Sequence, residues 1–311
     1  MESARRPRIV TGLRATFESL GWIAREVGIF KGLGLECTFP RLETGGPEAV
    51  AGIVRGAWEF AETGSAPYVQ AALDGQDTVI LLAALAPLST GLPILTRPAI
   101  SDPHQLEGKR LGVLTNTGQV AISVRSALNT WGVSATLVPL GTFGAIYAAL
   151  GSGEVDAGAL SADYRFLGPR EYGLRVLDTP SAGYVSVVVG CSRRLIAADR
   201  RLVSGVVQAY IEAIHFFKTK RLEVIPVLQQ FLRFENRPAV EEAYEFYAPL
   251  LQRLPRPSAQ GLLTLLQDLL QAQPSAVHVS PADFVDSSFL DELEQAGLIE
   301  AIYGETAEAG G

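Results

Sequence analysis

The sequence predicts an α/β protein of two lobes, each a mostly parallel sheet flanked by helices, followed by a helical C-terminal extension. The chain has 311 residues, enough for about two domains of 100–200 residues each. Its first part, up to about residue 190, alternates short apolar runs with amphipathic segments. Such alternation is typical of parallel strands joined by helical crossovers. From Ala198 onward the apolar residues recur at helical spacing instead.

Composition narrows the possible functions. Hydrophobic residues make up 48% and charged residues 19%, as in a globular protein, and the net charge is −7. A negative chain is poorly suited to neutralising phosphates, so we expect no nucleic-acid partner. The three His and two Cys are scattered without metal-ligand spacing, which predicts no metal and no cofactor. No apolar stretch reaches the ~18 residues of a membrane span, so we expect no membrane insertion.

The first set of elements follows from apolar runs and helical spacing. The helix that begins at Thr16, for example, places Phe17, Leu20 and Ile23 on one face. The set comprises predicted strands at Arg8–Leu13, Leu35–Leu42, Phe60–Thr63 and Val79–Leu85, and predicted helices at Thr16–Val27, Pro47–Arg55 and Ala66–Leu73.

A second set of the same kind follows Pro93, and helices follow that set. The set comprises an extended segment at Pro93–Thr96, strands at Arg110–Leu114, Ala135–Leu140, Val155–Leu160 and Tyr184–Gly190, and helices at Gln119–Trp131 and Phe143–Leu150. Two apolar stripes then predict buried helix faces. They consist of Val203, Val206, Val207, Tyr210, Ile211 and Ile214, and of Leu262, Leu263, Leu266, Leu269 and Leu270.

Ligand contacts are expected where strands end, because open α/β sheets bind ligands beyond the carboxyl ends of their strands. Helix N-termini at this edge also offer unpaired N–H groups to polar or anionic groups. Four loops qualify: Thr11–Glu18, Thr63–Ala66, Thr115–Gln119 and Ser161–Asp163. The predicted ligand-binding residues are Thr11, Arg14, Glu18, Gly64, Ser65, Ala66, Thr115, Asn116, Thr117, Gly118, Thr142, Ser161 and Asp163.

Each loop also has a purely structural interpretation. Arg14 could pair with a carboxylate or sulfonate, or lie in solvent. Thr16 could cap the first helix, Ser65 the helix that follows it, and Asp163 the helix after its strand. The run Thr115–Gln119 has only small or polar residues, which is typical of an anion-binding turn.

Motifs for catalysis or nucleotide binding are missing from the sequence. It contains no G-x-S-x-G elbow, no phosphate-binding P-loop and no G-x-G-x-x-G fingerprint. Glu154 and Asp156 stand two residues apart at a strand start, a spacing that does not by itself make an acid–base pair. We therefore expect no catalytic residues.

Five segments resemble, in order, the signatures of the type II periplasmic binding proteins. Residues 22–36 match "AxxxGxFxxxGLxV" except that Cys37 replaces its last Val, and residues 150–158 belong to the piece similar to "aLxsGevDA". The nearest branch holds sulfonate, taurine, nitrate and thiamine-precursor binders. The five segments are Gly21–Glu36, Gly45–Gly56, Leu106–Val113, Ala148–Ala157 and Asp283–Ile299.

This resemblance implies an architecture and a function. Lobe I would hold residues 1–95 plus 188–311, and lobe II residues 96–187, with crossings near Leu92–Arg97 and Ala182–Val187. A monomeric substrate-binding protein would close this hinge around a small organic solute, anionic or aromatic, and deliver it to the membrane permease of an ABC importer.

The resemblance leaves an alternative open, because some relatives on this fold are enzymes. A cytoplasmic enzyme or sensor, similar to the thiamine-pyrimidine synthases or to a desulfinase, would need a Cys-rich motif or an activated Cys in the cleft. Cys37 falls inside a predicted strand and Cys191 just after one, so neither is expected there. The segment from Met1 to Arg8 lacks the apolar part of a signal peptide. We expect a periplasmic protein whose export signal has been removed, or else a cytoplasmic one.

Overall fold

The computed structural model describes residues 6–40, 42, 45–85, 92–181, 183–272 and 279–304. Its strands are β1 Ile9–Thr11, β2 Phe60–Thr63, β3 Val79–Ala83, β4 Ile94–Thr96, β5 Arg110–Val113, β6 Thr136–Pro139, β7 Ala157–Ala159, β8 Arg175–Leu177 and β9 Val188–Cys191. Its α-helices are α1 Leu20–Glu26, α2 Ile29–Gly32, α3 Gly46–Val54, α4 Ser65–Leu73, α5 Gly118–Trp131, α6 Phe143–Ser152, α7 Asp163–Tyr172, α8 Arg193–Ala198, α9 Arg200–Thr219, α10 Arg221–Leu232, α11 Arg237–Tyr247, α12 Ala259–Ala272, α13 Ser288–Gln295 and α14 Leu298–Tyr303.

The strands form two sheets, and the predicted two-lobed α/β fold is confirmed. Sheet A has the order β1-β2-β9-β3, and sheet B has the order β6-β5-β7-β4-β8. Each sheet and the helices packed on it make one lobe. The helical C-terminal extension is also confirmed, since helices α8 to α14 follow the last strand.

One strand in each sheet runs against all the others. In sheet A, β1 and β2 are parallel, whereas β9 is antiparallel to both β2 and β3. In sheet B, β4 is antiparallel to β7 and β8, while β5 is parallel to β6 and β7. Both β4 and β9 are the first strands after the chain changes sheets. They enter from the edge where the other strands end, so they run in the opposite direction.

Helices cover both faces of sheet A. All five residues of β3 are buried, and its Ile80 and Leu81 belong to two different hydrophobic cores. One core is completed by α1 and α9, and the other by α3, α4 and α12. A strand buried on both faces explains the continuous apolar run that marks β3 in the sequence.

The predicted apolar stripe of α9 is confirmed. All six of its residues have no exposed surface, from Val203 to Ile214. The stripe of α12 needs a correction, because Leu263 is 40% exposed and Leu265 is fully buried. At 100° per residue, Leu265 lies on the face of Leu262 and Leu266, whereas Leu263 points away from it.

The predicted strand Leu35–Leu42 is wrong. No continuous strand forms in the described part of this segment, where Thr38 makes an isolated parallel bridge with Arg8, and residue 41 lies outside the described residues. The bridge consists of hydrogen bonds from Ile9 N to Thr38 O and from Thr38 N to Pro7 O, both 2.9 Å long. Pro40 has no N–H to continue the ladder, so the pairing stops.

The last predicted strand begins later than the sequence indicates. It was placed at Tyr184–Gly190, but β9 spans Val188–Cys191. Tyr184 and Val185 are buried without strand pairing and belong to the segment that returns to sheet A. Residue 182, at the start of the predicted second crossing, lies outside the described residues. No helix in the described ranges is long and apolar enough to cross a membrane.

Candidate functional site

Residues from all four predicted ligand loops line one cavity between the two lobes. Leu13 follows β1, Thr63 ends β2, Leu114 follows β5 and Ala162 follows β7, and all four border this space, here called the cleft cavity. It encloses about 100 Å³ of solvent-accessible space. The carboxyl ends of strands from both sheets therefore converge on one site, as the strand-end rule requires.

The first loop divides between two cavities. Glu18 is 1% exposed and borders the cleft cavity, where its Oε2 accepts a hydrogen bond of 2.6 Å from Leu13 N. Arg14 is exposed and donates from Nη1 to Phe231 O at 3.2 Å. It borders a separate space with Thr142 and Arg233, here called the side cavity. Thr11 pairs within sheet A through β1 and borders neither cavity.

A second buried carboxyl group lies beside Glu18. Glu62 of β2 is fully buried, and its Oε2 accepts from Gly21 N at 3.2 Å and from the Tyr210 hydroxyl at 3.0 Å. Its Oε1 has no hydrogen-bond partner. Burial raises the pKa of Glu62 to about 7, and burial together with the charge of Glu62 raises the pKa of Glu18. This pair is not predictable from the local sequence, because Glu62 lies within a short strand and its partners are distant in the chain.

The second loop starts α4 and is already hydrogen-bonded. Ser65 is fully buried, and its hydroxyl donates to Val185 O at 2.6 Å. Ala66 N donates to Gln119 Oε1 at 3.0 Å, and the same oxygen lies 3.3 Å from the Ser65 hydroxyl. Gly64 borders the cleft cavity and permits this approach, since a Cβ there would lie 2.9 Å from Gln119 Cβ. Gln119 therefore links the sheet B lobe to the start of α4.

The third loop forms the N-terminus of α5. Thr115, Thr117 and Gly118 border the cleft cavity, whereas Asn116 borders a groove on the outer side of α3 and α4. The Thr115 hydroxyl donates to Thr117 O, and the Asn116 carbonyl accepts from Arg125 Nη2 at 2.9 Å. These bonds hold the loop in shape and leave the first turn of α5 facing the cavity.

The fourth loop closes the cleft from the sheet B lobe. Asp163 is fully buried, and its Oδ2 accepts from Thr16 N of the opposite lobe at 3.3 Å. Thr16 Oγ1, Ser161 Oγ and Asp163 Oδ1 are buried without a hydrogen-bond partner, so Thr16 does not cap a helix. Burial raises the pKa of Asp163, although the nearby Thr16 and Ser161 hydroxyls lower it.

Thr142 has a structural role at the side cavity. Its hydroxyl accepts from Ala145 N at 3.1 Å and caps α6. The side cavity also contains the rings of Tyr147 and Tyr164, whose centroids are 4.9 Å apart. Thr142 and Arg14 are thus brought together, but away from Glu18 and the start of α5.

Aromatic residues of the cleft cavity were missed by the sequence analysis. Phe17, Phe246 and Tyr247 border it, and the rings of Phe17 and Tyr247 meet edge to face at 5.8 Å. The Tyr247 hydroxyl accepts from Ala162 N at 3.2 Å and so crosses between the lobes. Tyr247 ends α11, far along the chain from any strand end, and nothing in its local sequence marks it. The sequence predicts Gln119 as the end of the loop Thr115–Gln119 and the start of the helix Gln119–Trp131, not as a ligand-binding residue.

Neither cysteine lies at this site. Cys191 is buried in β9 and Cys37 is partly buried, and burial raises the pKa of both thiols, that of Cys37 to about 12. A thiol with a raised pKa is a poor nucleophile at neutral pH. Within the described ranges, no group of three His, Cys, Asp or Glu side chains could hold a metal ion.

Comparisons with known proteins agree on the fold. The family model described as NMT1/THI5 like matches residues 21–220. No curated protein sequence matches significantly. A structure from Bordetella bronchiseptica RB50 is similar with a TM-score of 0.81 at 15% identity, covering 94% of this chain and 97% of that one.

Two further solved structures come from sulfonate-binding proteins. The alkanesulfonate-binding protein SsuA of Xanthomonas axonopodis pv. citri, bound to MOPS, gives a TM-score of 0.76 at 21% identity and covers 92% of this chain and 100% of its own. The periplasmic aliphatic sulphonate binding protein SsuA of Escherichia coli gives 0.71 at 16% identity, covering 91% and 92%. At these identities the likeness shows the shared type II periplasmic-binding-protein fold.

Proposed function

Since the chain belongs to the NMT1/THI5-like family, we propose that it is the substrate-binding protein of an ABC-type importer. It holds a small organic solute, anionic or aromatic, in the cleft cavity and closes its lobes around it. Its partner is the membrane permease of the importer, its location is the periplasm, and it acts as a monomer. The lobes comprise residues 1–95 with 188–311 and residues 96–187, and the hinge lies at the two connecting segments.

One observation carries this proposal: groups from both lobes meet over an interior cavity at the strand carboxyl ends. Ala66 N with Gln119, and Thr16 N with Asp163, are hydrogen bonds across the cleft. A ligand that sits between two lobes and contacts both stabilises the closed form, because it binds that form more tightly. Similar structures from an alkanesulfonate-binding protein and a periplasmic aliphatic sulphonate binding protein support the same function.

Thermal unfolding with candidate solutes tests the proposal. Sulfonates, aromatic carboxylates and pyrimidines are the classes to screen. A specific ligand at 100 times its Kd stabilises the folded protein by about 2.7 kcal/mol. No shift with any class would contradict the proposed function.

Replacing a cavity side chain then locates the site. Phe17→Ala removes an aromatic wall of the cleft cavity, so we expect affinity for a bound solute to fall about tenfold, since a buried ring contributes roughly 1–3 kcal/mol. Phe216→Ala is the matched control, because Phe216 is also a partly buried phenylalanine but lies on α9 and borders none of the cavities described here. An equal loss in both variants would mean that the solute does not bind in the cleft.

A further inference from the structure

The wall of the cleft cavity carries very little charge. Among the described residues that border it, Glu18 is the only Asp, Glu, Lys, Arg or His. Arg14, the cation that the sequence suggested, borders the side cavity instead. Burying an anion is costly unless a positive charge or a full set of donors compensates it. The described wall offers no positive side chain for that purpose.

The amide groups at the start of α4 are engaged as well. Helix N-termini commonly receive the negative group of a ligand. Here Gln119 Oε1 accepts from Ala66 N at 3.0 Å, and the Ser65 hydroxyl donates to Val185 O at 2.6 Å. A neutral carbonyl oxygen from the opposite lobe therefore stands where an anion would bind, and an anion would have to displace it.

Aromatic and aliphatic side chains form much of the remaining wall. Phe17, Phe246 and Tyr247 border the cavity together with Leu114 and Val120. The cavity measures about 100 Å³, and one water needs about 10–15 Å³ on the same measure, so roughly eight heavy atoms fit. This size and wall suit a single flat ring with one polar substituent.

Of the two kinds of solute in the proposed function, these three observations favour the aromatic one over the anionic one, and the inference rests on that function. We infer that the cleft binds a flat, uncharged or cationic molecule whose N–H donor faces Glu18, and that it discriminates against sulfonates and carboxylates. The Glu18 carboxyl is fixed in orientation by the 2.6 Å hydrogen bond from Leu13 N. Its buried position makes it a strong partner for a donor, because little water competes there.

A protonated Glu18 is the route by which an anion could still bind, with the first amides of α5 as further donors. The two cases respond oppositely to pH. Affinity for a cation rises with pH as Glu18 ionises, whereas affinity for an anion would fall. The titratable groups around the Thr16–Glu18 turn are Glu62 on β2, Tyr68 on α4, Tyr210 on α9, Asp163 on α7 and Tyr247 on α11.

Four probes of nearly equal shape test the inference. Benzamidine is cationic, benzamide is neutral, and benzoate and benzenesulfonate are anionic, all on one ring. Calorimetric titration of the full chain at millimolar probe should show binding of benzamidine and benzamide, with the anions at least about tenfold weaker. Benzamidine should bind more tightly as pH rises, because a larger fraction of Glu18 is then ionised. Either anion binding as tightly as benzamide would overturn the inference.

The variant Glu18→Gln tests whether the Glu18 carboxyl group causes the preference for benzamidine. The amide oxygen of the new side chain can still accept from Leu13 N, so the loop keeps its hydrogen bond. We expect about a tenfold loss for benzamidine, since a charge-assisted hydrogen bond is removed, and little change for benzamide. Glu154→Gln changes the net charge equally at an exposed position. An equal loss there would assign the effect to net charge and overturn the inference.

The experiments distinguish failure of the inferred ligand class from failure of the proposed function. Tight binding of the anions would overturn the ligand class and leave the proposed function standing. No binding of the four probes, together with no stabilisation by sulfonates, aromatic carboxylates or pyrimidines, would contradict both. Binding of benzamide that Phe17→Ala leaves unchanged would contradict the site and with it the inference.

Discussion

Glu62 is a carboxyl group without exposed surface inside the lobe built on sheet A. Burial raises its pKa from 4.5 to about 7, although Gly21 N and the Tyr210 hydroxyl hold its Oε2. The folded state therefore binds the proton more tightly than the unfolded state does. Its contribution to stability is complete below about pH 4.5 and is lost as pH rises to about 7, at up to 1.36 kcal/mol per pH unit.

Glu62→Gln should remove this pH dependence. The variant cannot ionise, yet its amide oxygen can still accept from Gly21 N and Tyr210. Above pH 7 we expect the free energy of unfolding of the variant to exceed that of the wild type by on the order of 1–3 kcal/mol. Near pH 4 the difference should vanish. Urea unfolding across this range measures it.

The control for Glu62→Gln is Glu223→Gln, which replaces an exposed carboxyl on α10. It should follow the wild-type curve. A Glu62→Gln curve parallel to the wild type at every pH would show that Glu62 titrates normally. The raised pKa of Glu18 leaves a residual slope in both variants.

At the residue scale, the sequence locates side chains that follow a strand but not contacts between residues far apart in the chain. Glu18, Gly64 and Thr117 border the cleft cavity as loop positions should. Glu62 depends on Tyr210, which is 148 residues away. This hydrogen bond can form only after sheet A and α9 have packed, so no local sequence pattern predicts it.

At the scale of elements, the starts of α4 and α5 meet across the cleft through Gln119. Gln119→Ala would leave Ala66 N without this acceptor, and we expect the lobes to open more readily. The loss of one net hydrogen bond should lower the free energy of unfolding by about 1 kcal/mol. Small-angle X-ray scattering should record a larger radius of gyration for the unliganded variant.

Two further variants sharpen the Gln119 experiment. Gly64 has φ −63°, so Gly64→Ala causes no backbone strain, but its Cβ would lie 2.9 Å from Gln119 Cβ and should open the lobes too. Gln70→Ala is the control, because the Gln70 side chain donates to Asp74 at the C-terminal end of its own helix, α4. An unchanged radius in Gln119→Ala and Gly64→Ala would show that this contact does not hold the lobes together.

Element positions were largely predictable, but pairing was not. The period of the apolar residues is a local property, and it located β2, β3, α5 and α9 closely. The strand predicted at Leu35–Leu42 meets the same criterion, yet Pro40 lacks the N–H that would extend the bridge at Thr38. The reversed direction of β4 and β9 depends on where the chain passes from one lobe to the other. The periodicity of apolar residues does not indicate that position.

For the whole molecule, the proposed closure would bring together groups that are solvated when the lobes are apart. Tyr247 with Ala162 N, and Asp163 with Thr16 N, are hydrogen bonds between the lobes. Arg170 and Glu242 form an ion pair across the same boundary at 2.8 Å. Exposed ion pairs of this kind contribute little to stability. Among these three contacts, the one made by Asp163 should therefore depend most on the charge of its side chain.

Asp163→Asn should favour the closed form and remove a pH dependence of closure. Burial raises the pKa of Asp163 in the closed form above 3.8, the value expected when the lobes are apart. Closure is therefore favoured by the protonated carboxyl and weakens as pH rises through the closed-state pKa. Asn can accept from Thr16 N and also donate to the unpartnered Thr16 or Ser161 hydroxyl. Scattering should record a smaller radius of gyration for the variant than for the wild type at neutral pH.

The Asp163 experiment separates two roles for the carboxylate. Ligand affinity should rise in Asp163→Asn by the same factor as the closed population, because a binding-competent form that is more populated lowers the apparent Kd. Well below pH 3.8 the variant and the wild type should converge, since both then present a neutral side chain in either form. A larger radius and weaker binding in the variant at neutral pH would mean that the ionised carboxylate, through Thr16 N, is what holds the lobes closed.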